Sequence, residues 1–528
     1  MWNIPPLTIS LTGILFLILV YRLVRQRYPD IHPFALYHQS YIAPVRNSEE
    51  SAVYRSTLTP FTYPLISGLN IREGHSFRDG DLRDIWNFAK KGKLGFVNKK
   101  GDPILYHDYD IELTPLLHTV ASRFNEYVPG IKKIGIYLPN SIENVVTSFA
   151  AAHYSMETVL LPLVSDMGEM SRYLEISQPE LLIFEAGVLD FTQLSLPESI
   201  QCLIIVVPSI QDHLEWKDQL DENVGSSISV RTWEDVVSSV SHPKTVVDAP
   251  EGALTEPAII VPYTATNGKI ELATFSHRNI VSAVATQLRV VPKSESFKST
   301  DIVIPLDSLQ NMYTRIMFFS ALTAGATVVF CGTTSEGFDV DTLQTINPTI
   351  MIVSSKSLHH VLNYTPGPLT NLRLKRAQGI LASGNLPWPV LRLFPKLRLI
   401  YTHYGQLPWQ RQTKSSRAND KTGSLTSAQL SLLRALLGAR VVYALTNPRI
   451  AGPICQTHIY DYRNLGAVRV FGPVVPALEA VVKDIEHLKG GDRQGHLFVR
   501  GLPTADRGWI TTNIVGEWGD DGCFRELY

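Results

Sequence analysis

The chain has 528 residues, and its 48 Lys and Arg balance 49 Asp and Glu to a net charge of −1. That balance excludes a protein drawn to nucleic acid by bulk charge. With 45% apolar and 18% charged residues, the chain is too hydrophobic to be mainly disordered. Cys202, Cys331, Cys455 and Cys523 are scattered without a C-x-x-C pair, so neither a zinc site nor a disulfide framework follows. They read as buried or free thiols.

Met1 to Tyr21 carry no charge, and Leu11–Tyr21 reads LTGILFLILVY. A run of about 20 apolar residues is enough to cross a bilayer core of about 30 Å, which predicts one transmembrane helix at 4–24. Arg22, Arg25 and Arg27 follow and nothing basic precedes. This charge order predicts a translocated N-terminus and a cytosolic body, and it is the reverse of a cleaved signal peptide. The expected location is the endoplasmic reticulum membrane or one derived from it. Residues 29–80, rich in Pro, Tyr and Ser, read as an irregular wrap.

An α/β body is predicted over 81–465. Thr114-Pro115 reads as an N-cap and first turn. Lys133–Leu138 is a short strand, Ser141 opens a helix, and Val159–Leu163 is the next strand. Buried-strand runs recur at Leu181–Phe184, Leu203–Val207, Ala258–Val261, Ala326–Phe330 and Ile350–Val353. This β-α-β rhythm argues for parallel-rich sheets flanked by helices. The polar stretch 410–424 reads as an exposed loop. Over 466–528 the period shortens to alternation, predicting a small β-rich subdomain.

Val261–Lys269 follows a buried strand and was expected to lead through Ile270–Asn279 into a helix. Its hydroxyls, backbone N–H groups and Gly268 suit a phosphate cradle. Downstream come Ser383-Gly384-Asn385-Leu386-Pro387, Tyr443-Ala444-Leu445-Thr446-Asn447, Gly495–Gly501 and Gly508–Trp518. In this order the segments resemble the adenylate-forming (AMP-binding) superfamily over about residues 80–528. Val515-Gly516-Glu517-Trp518 and the N-terminal apolar run look most like its long-chain fatty acyl-CoA synthetases.

The resemblance implies ATP or AMP, Mg²⁺ and CoA chemistry, with nucleotide contacts at Thr264, Thr266, Asn267, Gly268, Lys269, Gly384, Tyr443 and Thr446. It also shows departures. The family's loop cation falls on Glu271, its metal-holding glutamate on Asn447, and its ribose-gripping aspartate on Ile514. The chain stops at Tyr528, where the family continues into a lid carrying a catalytic lysine. The resemblance thus implies weak or absent ATP·Mg²⁺ binding and no metal site or catalytic residue that can be named. It points to a membrane-anchored acyl-CoA-synthetase-like protein in lipid metabolism. Such a protein would be catalytically impaired and would act by binding an acyl chain, a nucleotide or a protein partner, with no role for nucleic acid. The alternative is an active ATP-dependent long-chain fatty acid–CoA ligase.

Overall fold

The computed structural model describes residues 5–24, 32–97, 103–207, 228–238, 253–265, 267–331, 339–362, 367–405, 423–483 and 493–527. Thr266, Arg25, Arg27 and nearly all of the polar stretch 410–424 lie outside the described residues.

Three large sheets carry the fold. The first runs Ser229–Thr232, Cys202–Val206, Leu181–Glu185, Lys133–Tyr137, Glu157–Leu160, Pro257–Thr264 and Ile270–Ser276 from edge to edge. Its pairs are parallel except the last, which is an antiparallel hairpin. The second sheet has eight strands. Six inner strands, from Arg440–Thr446 through Leu399–Gly405, Ile350–Ser354, Ile302–Pro305 and Thr327–Cys331 to Lys93–Val97, pair in parallel. The edges Pro453–Gln456 and Leu105–Asp108 are antiparallel. Near-continuous Val/Ile/Leu runs are what a parallel sheet covered on both faces requires. Ile304, Val328, Ile350, Ile352 and Val441 are fully buried.

Helices fill the crossovers. Helix Ile142–His153 is capped by Ser141, whose hydroxyl accepts the Asn144 N–H. Helix Thr114–Tyr127 differs from expectation at its start. Thr114 is the first helical residue and not the cap, because its hydroxyl is already used, accepting from the Trp86 indole at 2.9 Å and donating to the Tyr109 carbonyl at 2.6 Å.

The third sheet is antiparallel and joins Leu478–Lys483, Gln494–Gly501, Ile510–Trp518, Phe524–Glu526 and Arg469–Gly472. Two strands of the wrap, Ser40–Ile42 and Tyr54–Ser56, complete its edge. The wrap is therefore not irregular throughout. Arg55 Nε donates to Glu479 at 2.6 Å, and Arg500 Nε donates to the other oxygen of the same buried carboxylate at 2.5 Å. Tyr54 stacks on Trp518 with ring centroids 4.1 Å apart. The four cysteines are unpaired, and all but Cys331 are buried.

The N-terminal helix spans Pro6–Val24, with Leu11, Ile14, Leu15, Phe16, Leu17, Ile18 and Leu19 exposed. Among the described residues, no helix is long and apolar enough to cross a membrane, and the predicted span at 4–24 is corrected accordingly. The helix begins only at Pro6, its first two turns carry Thr8, Ser10 and Thr12, and Arg22 sits in its last turn. The unbroken apolar stretch Ile14–Tyr21 advances only about 12 Å at 1.5 Å per residue.

Candidate functional site

In open α/β sheets ligands sit beyond the carboxyl ends of the parallel strands. At that edge of the second sheet, strand Ile302–Pro305 leads to Asp307 and Asn311. Strand Leu399–Gly405 brings His403 and Gly405, and strand Arg440–Thr446 brings Thr446 and Asn447. Val261 of the first sheet, Asn311, Met312, Tyr313, Thr446 and Asn447 line a small cleft with a free volume of about 10 Å³, room for about one water.

Asn311 links this cleft to a polar cluster, its Nδ2 lying 3.3 Å from His403 Nε2. His403 Nε2 and Asp307 Oδ2 are 2.8 Å apart, and the Thr314 hydroxyl donates to the same oxygen at 3.0 Å. Burial pushes the Asp307 carboxyl up. The His403 ring, the Thr314 hydroxyl and the Ser308 backbone outweigh it and hold the carboxyl below its ordinary range. His403 Nδ1 is buried without a hydrogen-bond partner, and the Tyr313 ring lies 4.8 Å from the imidazole. Arg315 fixes the preceding turn. It is fully buried and donates to the Leu309 carbonyl at 2.7 Å, the Ser148 hydroxyl at 2.9 Å and Asn144 Oδ1 at 3.0 Å. Burial among neutral partners lowers its pKa to about 9.

The expected strand–loop–helix around 261–280 is instead a β-hairpin that returns through Ile270–Ser276 before helix His277–Val290 begins. The residues after Gly268 extend because Tyr263, Thr264 and Val261 offer a free strand edge. The turn closes on itself. The Ala265 N–H donates to the Lys269 carbonyl at 2.8 Å, and the Gly268 N–H to the Ala265 carbonyl at 2.9 Å. The Lys269 N–H donates to Asn267 Oδ1 at 2.9 Å. Gly268 has φ of +78°, which its missing side chain permits. The Thr264 hydroxyl is 3.1 Å from the Tyr173 hydroxyl. Three backbone donors of the expected cradle are thus occupied within the turn. Asn267, Gly268 and Lys269 are exposed at its tip.

Glu271 faces Tyr263 across the hairpin and accepts its hydroxyl at 2.5 Å. Arg449 lies within electrostatic reach of both, and its guanidinium holds Asp506 at 2.6 Å. Asn447 is committed as well. Its Nδ2 donates to the Thr512 carbonyl at 3.2 Å, and its Oδ1 accepts the Arg449 N–H at 3.0 Å. Ile514 packs against the second apolar core.

Two expected contacts lie elsewhere. Tyr443 is fully buried, its hydroxyl accepting the Leu425 N–H at 2.9 Å and its ring stacked on Phe471 at 4.9 Å. It is a core residue because strand Arg440–Thr446 is central in its sheet. Gly384 closes helix Pro368–Ala382, where a side chain would meet Pro33 at 3.1 Å. The glycine beside Thr446 is Gly405, paired with it in register and close enough that a Cβ would strike the Thr446 carbonyl. Thr446 itself lines the cleft. Asp307, Asn311 and His403 were not anticipated. Their signal was present: Asp307 just follows a buried strand run, and His403 lies near the end of another.

The donor set does not fit a metal-bound triphosphate. Three turn amides are taken, Glu271 adds negative charge, and Asn447 is neutral and engaged. Among the described residues no group of three His, Cys, Asp or Glu could hold a metal ion.

Residues 117–506 match the AMP-binding enzyme family, and the chain belongs to it. A Saccharomyces cerevisiae protein described as uncharacterized, YHR045W, is 25% identical over 559 residues, covering 94% of this chain and 93% of that one. Solved structures share the fold. The anthranilate CoA ligase AuaEII with anthranoyl-AMP has a TM-score of 0.61 at 12% identity, covering 85% of this chain and 77% of that one. ATP-bound MatB from Rhodopseudomonas palustris has a TM-score of 0.58 at 14% identity, covering 85% and 78%. VinN with L-aspartate has a TM-score of 0.55 at 15% identity, covering 85% and 98%.

Proposed function

We propose that this chain is an acyl-CoA-synthetase-like member of the AMP-binding family that has lost efficient adenylation. It is attached to a membrane through the Pro6–Val24 helix and acts in lipid metabolism by binding an acyl chain or a protein partner. The observation that carries the reading is the hairpin turn at 264–270. Three of its amides are spent on its own closure, and Glu271 adds a negative charge where the resemblance would put a cation. A unit charge at about 5 Å and an effective dielectric of about 20 is worth roughly 3 kcal/mol, so the sign of that charge decides whether a triphosphate is held. The exposed aliphatic helix followed by Arg22, Arg25 and Arg27 supports membrane attachment. The endoplasmic reticulum, with the body on the cytosolic side, is the location proposed.

Titration calorimetry of the full chain in detergent with ATP and Mg²⁺ tests the reading. A dissociation constant on the millimolar scale or weaker, about −4 kcal/mol or less, is expected. A low-micromolar value would mean that Lys269 serves as the cation and that the active-ligase alternative stands.

A further inference from the structure

The chain is neutral overall, yet no Asp or Glu occurs between Asp341 and Asp420, while ten Lys and Arg do. Within this acid-free region, helix Pro368–Ala382 turns Leu374, Ala377 and Leu381 inward. It packs against helix Ser427–Leu437. Its outward stripe is mixed. Leu369, Leu372, Arg373 and Arg376 recur at helical spacing on the side opposite the buried residues, with Lys375 beside them. Leu369 and Leu372 are 78% and 69% exposed. Arg373, Lys375 and Arg376 are exposed, and none forms an ion pair with a described residue. Ion pairs elsewhere hold mainly partly buried arginines, as Asp301 and Glu295 hold Arg398.

Two further features belong to the same acid-free region. Trp388, six residues beyond the helix, is 92% exposed. The segment that follows it runs along the same neighbouring helix, the Leu391 N–H donating to the Leu436 carbonyl at 2.8 Å. At the C-terminal end of helix Pro368–Ala382, Gly384 abuts His32 and Pro33. The described chain resumes there at His32, eight residues beyond the end of the apolar N-terminal helix.

We propose that the outward face of helix Pro368–Ala382, with Trp388, is a second membrane-contact surface that binds anionic lipid headgroups. It rests on the membrane attachment proposed above and states which face of the body meets the bilayer. Cations with no ion pair among the described residues, interleaved with exposed leucines and followed by an exposed tryptophan, match an anionic interface. The cations meet the headgroups, while the leucines and the indole enter the boundary between headgroups and chains. The apolar part of the stripe favours lipid over a purely polyanionic partner such as nucleic acid.

The test is flotation of the full chain with vesicles of pure phosphatidylcholine and with 30% phosphatidylserine, at about 0.1 M salt. Besides Trp388→Ala, three proteins are compared: the unmodified chain, Arg373→Glu/Lys375→Glu/Arg376→Glu, and Lys91→Glu/Lys93→Glu/Lys132→Glu, which changes net charge equally away from this helix. The unmodified chain should bind the anionic vesicles at least tenfold more tightly than the neutral ones. The first variant should lose most of that preference, keeping only what Arg22, Arg25 and Arg27 supply, and the second should keep all of it. Trp388→Ala should weaken binding to anionic vesicles while leaving circular dichroism unchanged. Binding to neutral vesicles reports the N-terminal helix alone, so its absence would count against membrane attachment without touching the anionic increment. Equal preference in all three proteins, or binding of duplex DNA with no preference for anionic vesicles, would overturn the proposal.

Discussion

At the scale of single residues, Glu271 carries most of the electrostatic argument. It is exposed, bonded to Tyr263, and near Arg449. Glu271→Lys removes a negative charge and adds a positive one at the hairpin that faces the cleft. ATP affinity should rise at least tenfold, about 1.4 kcal/mol, in calorimetric titration. The melting temperature should change little, because an exposed side chain makes few contacts. No rise would show that the closed turn amides, and not the charge, exclude the nucleotide.

His277 supplies a second test at this scale. It begins helix His277–Val290, is 4% exposed, and its pKa is lowered to about 4, chiefly by burial, with Asp81 opposing. The unfolded chain has its histidine near 6.5. Between about pH 6.5 and 4 the unfolded state binds a proton that the folded state refuses, so stability falls as the pH drops through that window. The full contribution is about 3 kcal/mol. His153, likewise lowered to about 4 by burial, acts in the same direction. Thermal unfolding followed from pH 7 to 4 should show a falling midpoint, and His277→Gln should flatten the dependence. An unchanged slope in the variant would remove His277 from this account.

At the scale of elements, the wrap is held by Glu479. This carboxylate is 4% exposed and receives both Arg55 and Arg500. Glu479→Gln would leave two guanidinium groups facing a neutral amide. Removing one partner of a buried ion pair costs about 3–5 kcal/mol. The expected result is a lower melting temperature and faster proteolysis within 40–63, where the edge strands detach first. Unchanged proteolysis would mean that Tyr54 on Trp518 suffices to hold the wrap.

The elements also show where sequence reading succeeded. The buried strands were legible because runs such as Ile350–Val353 are apolar on both faces, as a covered parallel sheet demands. The hairpin at 264–270 was not, because Ile270–Ser276 alternates weakly and a turn of this composition precedes a helix as readily as a strand. The wrap strands Ser40–Ile42 and Tyr54–Ser56 are three residues each and gain their order from distant partners, which periodicity cannot register. Ser383-Gly384 suggested a nucleotide turn by composition alone. Only the register of Leu399–Gly405 against Arg440–Thr446 identifies Gly405 as the glycine beside Thr446. Asp307 and His403 are 96 residues apart, and no local pattern links them.

At the scale of the whole molecule, the chain keeps the fold of the AMP-binding family, and the proposal is that its residues hold Mg²⁺ and triphosphate poorly. Two large parallel-rich sheets and an antiparallel sheet still frame a cleft at the expected strand ends. Beside it, His403 and Thr314 bond to Asp307, and Asn447 bonds to the Thr512 carbonyl and the Arg449 N–H. Catalysis of adenylate formation requires donors aimed at developing phosphate charge and not already used. The most direct test is exchange of labelled pyrophosphate into ATP by the purified full chain with palmitate and Mg²⁺, since exchange requires reversible acyl-adenylate formation. The account predicts exchange indistinguishable from a protein-free control. Exchange above that control that persists through successive purification steps, and is altered by substituting Glu271 or His403, would contradict it.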